Sequence, residues 1–119
     1  MTDKFDKLGS LPVSVKELEQ HPNFARFSAA ELKALSGHCV LKALPGGKVL
    51  FNEGEVGQAM FIVKKGGIKI LKMGYLGETV IGEVKVGEFF GEMAVIDGSP
   101  RMATARAAAD TELLELSLI

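Results

Sequence analysis

Hydrophobic positions along the chain change their spacing near Gly37. Before that point, two short stretches carry the start signals of helices. Ser14 and Glu17 stand three apart with Val13 and Leu18 outside them, and Ser28 and Glu31 repeat the device with Phe27 and Leu32. In such a capping box the serine oxygen accepts a free backbone N–H while the glutamate reaches back to the cap, and the apolar pair staples the incoming chain. The spacing predicts one helix over residues 15–20, stopped before Pro22, and another over 29–36, ended at Gly37. Helices this short need a surface to lie on.

After Gly37 glycine becomes frequent and the apolar pattern tightens toward alternation, the period of half-buried strands. Strands are predicted over residues 40–44, 48–52, 60–64, 68–73, 79–86 and 113–118. Pro45-Gly46-Gly47 and Gly66-Gly67 read as turns, and residues 74–77 as a loop. Ile68 and Ile70 share one face of their strand with Lys69 on the other, and Leu114, Leu116 and Leu118 line one face of the last. Many short strands with glycine-rich turns predict a mainly β fold, an antiparallel jelly-roll barrel preceded by short helices. Residues 1–36 form the helical segment and 37–119 the β-roll, together one domain.

Composition narrows the classes of function. The 119 residues suit one domain, with 47% hydrophobic and 24% charged positions. A net charge of −1, with Lys and Arg spread rather than clustered, argues against direct nucleic-acid contact. Cys39 is the single cysteine and is expected to be a buried packing residue, so no internal disulfide forms. No N-terminal apolar leader and no stretch of membrane-spanning length is seen, which favours the cytosol and no membrane contact. His21 and His38 are the only histidines, too few for a metal centre built on several such ligands.

One segment departs from the strand pattern: Gly87-Glu88-Phe89-Phe90-Gly91-Glu92-Met93-Ala94-Val95-Ile96-Asp97-Gly98-Ser99-Pro100-Arg101-Met102-Ala103-Thr104-Ala105. Helix-tolerant residues from Glu92 to Ile96 end at the turn signal Asp97-Gly98. A short helical turn after Gly91 would present free backbone N–H groups to an anion, and Gly91 would allow close approach to the backbone. Arg101 follows the stiff Pro100, and a guanidinium fits phosphate oxygens in bidentate fashion. Glu92 can accept from sugar hydroxyls. Spacing alone leaves open a plain surface ion pair between Glu92 and Arg101, worth little.

The segment resembles the phosphate-binding cassette of cyclic nucleotide-binding domains, of the type in cAMP-dependent protein kinase regulatory subunits and catabolite activator proteins. Phe90-Gly91-Glu92-Met93-Ala94 is similar to the start of that cassette, and Ser99-Pro100-Arg101-Met102-Ala103-Thr104-Ala105 to its arginine-bearing end. Glu53-Gly54-Glu55 resembles the family's Glu-Gly-acidic turn, and residues 60–70 the strand, turn and strand after it. The likeness extends over residues 24–118.

The resemblance implies a cyclic nucleotide ligand, cAMP or cGMP, and no other cofactor. Arg101 would pair with the exocyclic oxygens of the phosphate, helped by the backbone N–H groups of Ala94 and Met102. Glu92 would accept from the ribose 2′-hydroxyl beside Gly91, and Ile70 and Met93 would lie against sugar or base, unless Ile70 is purely a core residue and Met93 simply packs under the short helix. Members that favour cGMP often carry threonine after the arginine; Met102 there points to cAMP. Family members usually continue into a helix that covers the base, whereas the sequence stops at Ile119, so base capping and output are expected from elsewhere, from a removed region, or not at all.

The expected function is therefore a regulatory sensor and not an enzyme. Its effector is left open, and a homodimer is compatible with it. A docking module of the same fold without nucleotide affinity is the alternative. A jelly-roll metalloenzyme would need a histidine cluster that is missing.

Overall fold

The computed structural model describes residues 10–12, 15–20, 24–25 and 27–117. Its elements, in chain order, are β1 (Ser10–Pro12), α1 (Val15–Glu19), α2 (Ala29–Ser36), β2 (Cys39–Leu44), β3 (Val49–Phe51) and β4 (Ala59–Lys65). They continue with β5 (Ile68–Gly74), β6 (Gly77–Val84), β7 (Phe89–Phe90), α3 (Glu92–Ile96), β8 (Thr104–Ala107) and β9 (Thr111–Ser117).

Helix α2 begins where its capping chemistry sets it. Ser28 Oγ accepts from the Glu31 N–H at 3.2 Å, and the Ser28 N–H donates to Glu31 Oε1 at 2.9 Å. These bonds, the backbone one first, hold the Glu31 carboxyl below its usual pKa. Gly37 ends the helix with right-handed φ −69°, and the His38 N–H closes onto the Leu35 carbonyl at 2.8 Å. The cap therefore does not use glycine's left-handed freedom. The matching box at Ser14, with Val13, lies outside the described residues. Ser28→Ala is expected to cost about 1 kcal/mol, read as a melting temperature lower by roughly 3–6 °C.

The strands form two antiparallel sheets, ordered β1-β2-β9-β4-β7 and β3-β8-β5-β6. Strand β9 is the centre of the first and is covered on both faces. Leu113 faces a core between the sheets that contains Phe61, Val63, Ile68, Phe90, Ala105 and Ala107. Leu114 and Leu116 face the helices, where Leu18, Phe24, Leu32, Cys39 and Ile62 pack with them. Period-2 alternation along β4 and β9 thus feeds two cores, one on each side of the same sheet.

Three strands were not among those predicted. Strand β1 lies within the segment read as helical and pairs Leu11 with Leu41 at the edge of its sheet, a position that tolerates Pro12. Strand β7 and the first half of β8 lie inside the segment singled out for its chemistry. Where β4 turns into β5, Gly66 takes φ +85°, and a Cβ there would sit 2.5 Å from the Asp110 carbonyl oxygen. Only glycine suits both demands.

Candidate functional site

Strand β7 starts the site. Phe89 and Phe90 pair with Ile62 and Phe61 of β4, and the buried Phe90 ring stacks on Phe61 with centroids 5.4 Å apart. That pairing anchors Gly91, which turns the chain with φ +76° and ψ +13° into α3. No side chain caps the first turn of this helix. Ala94 is buried as α3 packs onto β4, while Met93 remains exposed. Asp97 then reverses the chain: its Oδ1 accepts from the Ser99 N–H at 2.9 Å and from the Ser99 hydroxyl at 2.5 Å. Those bonds, the hydroxyl's first, keep the Asp97 carboxyl below its ordinary pKa.

Arg101 is then locked by its main chain. Its N–H donates to the Glu55 carbonyl at 2.8 Å, and its own carbonyl accepts from the Gly54 N–H at 2.7 Å. Nearby, Thr104 Oγ1 accepts from the Glu53 N–H at 3.0 Å, and Glu53 lies 3.8 Å from Lys72 Nζ on β5. The Glu53-Gly54-Glu55 turn is thus the clamp that holds the arginine's backbone. Nothing in the residue types of that turn announces this role.

The Arg101 side chain is 7% exposed. Nη1 donates to the Gly91 carbonyl at 2.9 Å and Nη2 to the Ala59 carbonyl at 2.8 Å. The Phe51 ring covers the guanidinium, with its centroid 4.2 Å from Cζ, a cation–π distance. Nε is buried without a hydrogen-bond partner, and among the described residues no carboxylate forms an ion pair with the group. Burial pulls the guanidinium's pKa down from its ordinary value, and the charges of Glu55 and Glu115 oppose that shift.

The seven residues singled out in the sequence border one cavity of about 240 Å³: Gly91, Glu92, Met93, Ala94, Arg101 and Met102, with Ile70 reaching in from β5. Phe51, Phe90 and Ala103 complete its wall. Apart from Glu92 and Arg101 every lining side chain is apolar or absent. Ile70 serves both settings, since it also packs on the core between the sheets. Met102 stands at the rim, 70% exposed. The arginine's setting holds what the sequence reading missed: Phe51, the Ala59 carbonyl and the bare backbone of Gly57. Carbonyls leave no trace in residue type, but Gly57, two residues after Glu53-Gly54-Glu55, was a visible hint.

Residues 41–118 match the cyclic nucleotide-binding domain family. The chain is 35% identical over 104 residues to a cAMP-dependent protein kinase regulatory subunit of Mycosarcoma maydis, covering 87% of this chain and 20% of that protein. It is 34% identical over 97 residues to a cyclic AMP receptor protein of Thermus thermophilus, covering 80% of this chain and 44% of that one. It therefore spans less than half the length of these relatives. A solved cyclic nucleotide-binding domain from Methylobacillus flagellatus superposes with a TM-score of 0.80 at 26% identity, covering 97% of this chain and 70% of that one. The regulatory domain of Toxoplasma gondii PKA, solved with cAMP, gives 0.75 at 25% identity, covering 98% and 43%. With two antiparallel sheets, short helices and a family match over most of its length, this chain belongs to the cyclic nucleotide-binding domain family.

Proposed function

We propose that this domain senses a cyclic nucleotide, with cAMP the preferred ligand, as a non-catalytic regulatory unit working in the cytosol. Arg101 pairs with the exocyclic phosphate oxygens, and the backbone N–H groups of Ala94 and Met102 add to that contact. Glu92 accepts from the ribose 2′-hydroxyl beside Gly91, and Ile70 and Met93 lie against sugar or base. The observation that carries this reading is the buried guanidinium on the cavity wall, with no carboxylate partner among the described residues and one N–H unmatched. A buried charge left without a counter-charge is costly. An anion entering the cavity supplies one. Met102 offers guanine no hydrogen bond, and relatives named for cAMP favour the same base.

A thermal-shift titration with cAMP and cGMP tests the reading. Ligand at one hundred times its Kd adds about 2.7 kcal/mol, so the melting temperature should rise by roughly 10 °C. Silence toward both nucleotides at millimolar concentration would sink it, while a larger shift with cGMP would overturn the base preference alone. Glu92→Gln should reduce the shift less than loss of Arg101 does, because the amide keeps one acceptor oxygen.

A further inference from the structure

Two glycines of the β3–β4 loop do different work. Gly54 takes φ +86° with open space where a Cβ would stand, so it is glycine for its backbone. Gly57 has no such left-handed φ, and any residue could adopt its backbone. A Cβ at 57 would instead lie 2.4 Å from Arg101 Nη2, 2.5 Å from Nε and 2.6 Å from Cζ. Those distances are well inside van der Waals contact. One edge of the guanidinium therefore rests directly on the Gly57 α-carbon, while the Phe51 ring covers the group and the Gly91 and Ala59 carbonyls hold its Nη atoms.

We propose that Gly57 is a positioning residue for the arginine of this site: its missing side chain is the seat that lets the Arg101 guanidinium lie buried on the cavity wall. The part of this that concerns ligand affinity rests on the function proposed above; the seat itself does not. An added methyl displaces the guanidinium, the flexible end of a long side chain, and leaves the backbone where it is. Its displacement breaks the two carbonyl bonds together. The arginine then meets an incoming phosphate from another position and without its fixed orientation.

The test is a double-mutant cycle of Gly57→Ala and Arg101→Ala, read by ligand-free thermal unfolding and by isothermal titration with cAMP. In the wild-type background Gly57→Ala should lower the melting temperature. With alanine at 101 it should be neutral or stabilising, since a Gly→Ala change at an unstrained position reduces the entropy of the unfolded chain. Affinity for cAMP should fall by about tenfold or more, the scale of one lost charge-assisted bond. If Gly57→Ala fails to fold while the double variant folds, the seat is supported in stronger form; failure of both overturns it. Equal effects in the two backgrounds also overturn it, as does unchanged affinity in a protein that binds cAMP. A non-additive cycle in a wild type that binds neither nucleotide keeps the seat and discards the sensing function.

Discussion

Arg101→Ala is expected to weaken cAMP binding by about 2–5 kcal/mol, roughly thirtyfold to several thousandfold in Kd by isothermal titration. Among the described residues no other cationic side chain lines the cavity. The phosphate would keep only backbone N–H groups, which carry no net charge. Charge-assisted bonds to phosphate are about twice as strong as neutral ones. Ligand-free stability should move much less. Removing the side chain strips a donor from each of the Gly91 and Ala59 carbonyls, but it also removes a buried cation that has no ion pair among the described residues. Those effects oppose each other. Arg101→Lys should fall between wild type and alanine, since a point charge cannot hold two carbonyls and a phosphate with one planar fork. A folded Arg101→Ala protein with unaltered Kd would remove the arginine from the site.

Where a local rule decides an element, the sequence reading and the structure agree closely. Helix α2 occupies Ala29–Ser36 because Ser28 and Glu31 fix its start by chemistry within four residues. The turn at Pro45-Gly46-Gly47 closes with the Lys48 N–H on the Pro45 carbonyl at 3.0 Å. Strands with bulky apolar alternation, such as β4 and β5, were legible for the same reason. Strand β8 was not. Thr104-Ala105-Arg106-Ala107 carries two alanines and an arginine, poor β-formers, yet it lies between β3 and β5, with Ala105 and Ala107 buried in the core between the sheets. Its conformation is imposed by pairing with distant strands. The insertion of β9 between β2 and β4 is equally non-local, so Leu113 and Leu114 could not be assigned to opposite cores from spacing alone.

The candidate site divides along the same line. Its side chains stood out because Gly91, Glu92 and Arg101 fall within one cassette whose residue types resemble a known family. The surroundings of Arg101 did not, because they consist of two carbonyl oxygens, one bare α-carbon and a phenylalanine brought from β3. Carbonyls are common to every residue type. Only the fold says which of them converge.

Leu113→Ala should be the most damaging single core change, lowering unfolding free energy by about 2–5 kcal/mol. Leu113 is fully buried on the middle strand of the five-stranded sheet, opposite Val63 on one side and Lys42 on the other. Truncation removes the transfer energy of the lost carbons and leaves a cavity that flanking strands, paired on both sides, cannot collapse into. A domain of this size holds about 5–15 kcal/mol in all, so a large fraction is at stake. In urea unfolding the midpoint should drop while the slope stays constant, as expected when the loss lies in the folded state. Ile96→Ala, at an exposed position on α3, is the matched control and should stay within about 0.5 kcal/mol of wild type. The core change should also reach the ligand site. Leu113 shares its cluster with Phe61 and Phe90, the rings beneath Arg101 and Gly91. Affinity for cAMP should therefore fall modestly in Leu113→Ala, and by less than in Gly57→Ala, because a packing defect loosens the floor of the arginine's seat without occupying it. If Leu113→Ala destabilised the domain no more than Ile96→Ala, the two sheets would not enclose the core described here.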